Sequence, residues 1–128
     1  MQIQCIKKKI NLELLAKFTE TFFKEKGFKT KLEQTKKSFT ISCITHHEGK
    51  PRIMTVKIMG KPDDFIIELT NPTPRNLQLL QSVLTLFGWG FLILNELKSQ
   101  EFYKKIEEEF LTFIDKTIEN LANSATIN

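Results

Sequence analysis

The stretch THHEG, residues 45–49, sets two imidazoles beside a carboxylate: His46, His47 and Glu48. These residue types exchange protons near neutral pH and bind zinc or nickel. Their spacing works against both roles. Successive residues of a strand project to opposite faces, so His46 and His47 reach one ion only if the chain turns between them, and a further ligand would have to come from elsewhere. The helical His-Glu-x-x-His pattern needs a second histidine four positions on, which is absent. A metal-dependent enzyme centred on His46, His47 and Glu48 is therefore the third of three functional readings. The first expectation for this stretch is a solvated hairpin end with no metal and no cofactor.

Other chemistry is thinly represented. Asp63 and Asp64 stand in GKPDD, where short acidic side chains serve turns by bonding their own backbone. Gly88 and Gly90 are enclosed by apolar residues and lack the basic and hydroxyl residues of a phosphate loop, and no Gly-x-Ser-x-Gly elbow occurs. Cys5 and Cys43 are far apart in the chain and read as thiols packed among hydrophobes. The order of charge and apolar residues in MQIQCIKKKI is not that of a signal peptide, which leads to the expectation of a cytoplasmic protein. No catalytic residues are assigned.

Charge carries more information. Residues 1–62 hold 14 Lys/Arg against 5 Asp/Glu, a net of +9, while residues 63–128 hold 5 against 10, a net of −5. Lys7, Lys8, Lys9, Lys29, Lys31, Lys36 and Lys37 form a set able to neutralise phosphates, so a nucleic-acid-binding module is the second functional reading. Against it, strands that bind single-stranded nucleic acid stack bases on exposed aromatic rings, and here Phe28, Phe39 and Phe65 fall in core registers.

The elements that would position these residues can be read from periodicity. Asn11 and Gly27 punctuate a helix whose apolar positions Leu12, Leu15, Phe18, Phe22 and Phe23 recur at helical spacing. The residues before it, with Ile3, Cys5 and Ile10 among polar neighbours, fit either a short edge strand or a frayed tail. From Phe28 the period becomes two, and four strands follow around Phe28–Leu32, Phe39–Ile44, Ile53–Ile58 and Phe65–Leu69, joined by the short connections QTKKS, HHEGKPR and GKPDD. Thr73 and Pro74 start a second helix through Leu77, Leu80, Leu84 and Phe87, and a last amphipathic helix runs from about Ser99 to Ala122. This order makes residues 1–128 a single α+β domain. The expected architecture is a two-layer sandwich: an N-terminal helix, a four-stranded antiparallel sheet, then two or three C-terminal helices.

The run VLTLFGWGFLIL, residues 83–94, is too short to span a bilayer without taking in Gln78, Gln81, Asn95 and Glu96. The two glycines end or kink the helix near Trp89, and FLILNEL resumes as helix or strand. Such a segment must be surrounded, either in the core or at a subunit interface. The outward strand registers offer Thr40, Ser42, Ile44, Ile53, Thr55, Lys57 and Ile66, a face with more apolar area than solvent requires. The first functional reading is accordingly a non-catalytic protein-interaction module that self-associates as a homodimer. Its interface candidates are Ile44, Ile53, Thr55, Ile66, Phe87, Trp89 and Phe91.

Overall fold

The computed structural model describes residues 2–6, 9–47, 49–71 and 100–127. Among them are five strands and two helices in the order β1 (Gln2–Ile6), α1 (Leu12–Glu25), β2 (Lys29–Gln34), β3 (Ser38–His47), β4 (Lys50–Lys61), β5 (Asp64–Thr70) and α2 (Gln100–Ile127). The sheet order is β1-β5-β4-β3-β2, with every neighbouring pair antiparallel. The chain thus enters at one edge, crosses the sheet as α1, begins again at the opposite edge as β2, and returns strand by strand to β1.

The class is α+β, with five strands in place of the expected four. The additional strand is β1, whose backbone register pairs Ile3 with Ile67 and Cys5 with Phe65. Five residues, of which only Ile3, Cys5 and Ile6 are apolar, carry little local signal, and the pairing with β5, some sixty positions away, is what orders them. The hairpins are also tighter than the sequence suggests. β3 and β4 remain paired to His47 and Lys50, so that only Glu48 and Gly49 lie between them, with Gly49 at φ 75. β4 and β5 remain paired to Lys61 and Asp64, leaving Pro62 and Asp63 between them. Gly60 has φ 123, and a Cβ there would stand 2.5 Å from the Asp64 carbonyl oxygen, so this hairpin needs glycine for space as well as for conformation.

Both ends of α1 are built as its sequence requires. The Asn11 side chain accepts a hydrogen bond from the Leu14 N–H at 3.1 Å. At the other end Gly27 takes φ 93, its N–H donates to the Lys24 carbonyl at 3.0 Å, and the Phe28 N–H donates to the Phe23 carbonyl at 2.9 Å. The rings of Phe23 and Phe28 meet edge to face at 5.3 Å, closing the same turn. β2 follows at once.

One face of the sheet carries both described helices. Ile41 and Cys43 of β3, Met54, Val56 and Ile58 of β4, and Phe65, Ile67 and Leu69 of β5 are buried against Leu15, Phe22 and Phe23 of α1 and Tyr103, Ile106, Phe110, Ile114 and Ile118 of α2. Phe22 stacks on Phe113 at 4.6 Å while Lys26 pairs with Glu109, so the two helices run in opposite senses. α2, expected from Ser99 to Ala122, extends from Gln100 to Ile127. The expected helix beginning at Thr73 and Pro74 lies outside the described residues. So does the run 83–94, with the interface candidates Phe87, Trp89 and Phe91. Among the described residues no helix is long and apolar enough to cross a membrane.

Candidate polyanion-binding surface

His46 and His47 are the last two residues of β3, and the His46 side chain is exposed. Glu48 lies outside the described residues. Among the described residues there is no group of three or more His, Cys, Asp or Glu side chains able to hold a metal ion.

The lysines are arranged differently. The N–H of Ile10 donates to the Pro62 carbonyl at 2.9 Å, and that of Gly60 donates to the Lys37 carbonyl at 3.4 Å. These two bonds draw the approach to α1, the β2–β3 turn and the β4–β5 turn to one end of the sheet. Lys9, Lys36, Lys37 and Lys61 are thereby collected at that end, all exposed. The β2–β3 turn is held in shape by the Thr35 N–H donating to the Ser38 carbonyl at 2.9 Å, with the Thr35 and Ser38 hydroxyls 2.7 Å apart. It presents Lys36 and Lys37 at its tip. Asp63 and Asp64 share this end, and the Gln4 amide donates to Asp64 Oδ1 at 3.4 Å.

Of the lysines singled out by sequence, Lys29 and Lys31 stand apart from this group. They are exposed on the outer face of β2, opposite Ile44 and Ser42 respectively. Lys7 and Lys8 lie outside the described residues. Lys61 was not among the sequence candidates, and only the hairpin pairing reveals that it joins Lys36, Lys37 and Lys9. Aromatic rings do not accompany the charge: Phe28 and Phe65 are buried and Phe39 is half-buried, all three packed into the core. This end can neutralise phosphates, and its described residues offer no ring on which a base could stack.

The outer sheet face is closed at its centre. Ile44 and Ile53 are each 2% exposed, and Ser42 and Thr55 are also buried, although both described helices lie on the opposite face. Ile66 is half-buried. The candidates Ile44, Ile53 and Thr55 are therefore in outward registers as expected, and closed to solvent within one chain.

Two further groups were not visible as a pair in the sequence. Arg52 is 2% exposed in a core-side register of β4, and Tyr103 of α2 lies near enough for the guanidinium charge to act on its phenol. The Tyr103 hydroxyl accepts from the Ile53 N–H at 3.3 Å. β5 stops at Thr70, opposite Thr55, and the phenol takes the place of a strand partner for Ile53. Burial raises the Tyr103 pKa, partly offset by that hydrogen bond and by Arg52. Burial likewise pushes the Cys43 thiol well above its ordinary value, with the Glu20 charge adding to the effect. A thiol held protonated in a closed core is a poor nucleophile.

Comparison with protein-family models, with curated proteins and with solved structures finds no match for this chain.

Proposed function

We propose that this chain is a non-catalytic binding module whose basic sheet end engages a polyanion, a nucleic-acid backbone being the form to test first. One observation carries the reading: Lys9, Lys36, Lys37 and Lys61 come from three separate parts of the chain and are brought to one exposed end by backbone hydrogen bonds. Clustered cations bind phosphates by displacing condensed counterions, which makes binding strong at low salt and largely indifferent to sequence. The lack of an exposed ring among the described residues of this end fits contact with the backbone in preference to reading of unstacked bases.

The test is fluorescence anisotropy with short labelled duplexes and single strands of DNA and RNA over a salt series. Binding at low ionic strength should weaken along a straight line in log Kd against log salt. Changing Lys36→Glu and Lys37→Glu together should weaken binding to all sequences and lower the slope by about 2, or about 1 for each phosphate contact removed. Changing Lys104→Glu and Lys105→Glu, exposed on α2, should leave binding nearly unchanged. Failure of every probe to bind at low salt, or equal losses from the two pairs of substitutions, would overturn the proposal.

A further inference from the structure

A different part of the sheet bears on assembly. Among the described residues, the order β1-β5-β4-β3-β2 leaves β2 as a terminal strand. Its hydrogen-bonding phase is set by the Thr35–Ser38 bond in the following turn. Because antiparallel partners alternate between bonded and non-bonded pairs, Glu33, Lys31 and Lys29 exchange their backbone bonds with Thr40, Ser42 and Ile44 of β3. The N–H and C=O groups of Thr30, Leu32 and Gln34 then point away from β3. Phe28 obeys the same phase, since its N–H is taken by the Phe23 carbonyl of α1 and not by β3. The side chains of Lys29, Lys31 and Glu33 are exposed on the outer face, while Thr30 and Leu32 are half-buried on the helix side.

We infer that β2 is an interface with a second copy of this chain, the two β2 strands pairing antiparallel about a two-fold axis through Leu32. That register sets Leu32 opposite Leu32 and Thr30 opposite Gln34, so the three outward N–H and three outward C=O groups of each copy meet one another in bonded pairs. Lys31 of each copy then faces Glu33 of the other in the non-bonded pairs, where side chains approach most closely. Neighbouring registers are excluded by the same residues. Moving the axis to Lys31 sets Lys31 against Lys31, and moving it to Glu33 sets Glu33 against Glu33. An axis between residues would place outer-face side chains opposite core-side ones. The strand is thus complementary to itself in one register only. The resulting assembly closes, because each copy uses up its β2 edge in the same contact.

Lysines on terminal strands also serve to keep monomers apart, and the experiment separates the two roles. Solution mass is measured by light scattering from micromolar to submillimolar concentration for the wild type, Lys31→Glu, Glu33→Lys and the double exchange. The wild type should approach twice the monomer mass at high concentration. Each single substitution creates two like-charge pairs across the axis and should return the protein to monomer with an unchanged circular-dichroism spectrum, while the double exchange should restore the dimer. Amide exchange at Thr30, Leu32 and Gln34 should slow as concentration rises. A wild type that stays monomeric overturns the inference, as does a dimer indifferent to the single substitutions or not restored by the double exchange.

Discussion

At the scale of single residues, the structure distinguishes side chains that fill space from those that satisfy a polar group. Tyr103 does both: its ring is buried and its hydroxyl accepts from Ile53. Tyr103→Phe should keep the burial and leave a strand N–H without its acceptor, at a cost of about 1–3 kcal/mol in urea unfolding. Tyr103 and Cys43 also set a pH dependence. Both pKa values lie above their unfolded values, which are close to 10.0 and 9.0. The stability each contributes is therefore fully present below those unfolded values and is lost as pH rises through the folded ones, because the unfolded chain releases its protons first. Unfolding measured at rising alkaline pH should show stability falling from about pH 9 upward, and Cys43→Ala should flatten part of that fall. The alternation of β3 already assigned Cys43 to the core. The role of Tyr103 was not legible, because its partner lies fifty positions away and nothing local marks a phenol as an acceptor.

At the scale of elements, α1 shows how far a periodic pattern reaches. Its spacing assigns Phe18 and Phe22 to one apolar face, yet Phe22 is buried between Phe23, Phe110 and Phe113 while Phe18 is 43% exposed. Phe18 lies on the rim of that face, beside a shallow groove of about 240 Å³ lined also by Phe113, Thr117, Asn120 and Leu121. Phe22→Ala should cost about 3–5 kcal/mol as a large-to-small change in a core. Phe18→Ala should stay within about 1 kcal/mol, near the range of surface substitutions, and thermal melts of the two variants compare them directly. Hairpin geometry gives a second contrast. Gly60→Ala meets both a positive φ and the Asp64 carbonyl, so chemical denaturation should report a loss of about 1–3 kcal/mol, the usual scale for a strained backbone position. The sequence marked Gly60 as part of a connection, whereas it lies within β4, because the pairing with β5 continues past it to Lys61.

At the scale of the whole molecule, charge and assembly can be told apart by salt. Polyanion binding through several lysines should fall steeply as salt rises. The exposed Lys31–Glu33 pairs across a β2 dimer are worth only about 0.2–1 kcal/mol each, so added salt should weaken the dimer mildly, as sedimentation at low and high salt would measure. Read alone, the sequence determines the α+β class, both ends of α1, the alternation that turns Phe65, Ile67 and Leu69 inward, and the excess of cations in the first half. These follow from local rules: capping chemistry, a period of 3.6 or of 2, and a count of charges. Tertiary structure decides that Gln2–Ile6 is a strand, that Lys9 and Lys61 join Lys36 and Lys37, that Ile44 and Ile53 are closed to solvent, and that β2 stands at an edge of the described sheet. Each of these depends on which distant segments become neighbours once the core has formed, and a periodic pattern records only which way a side chain must face, not what will lie beside it.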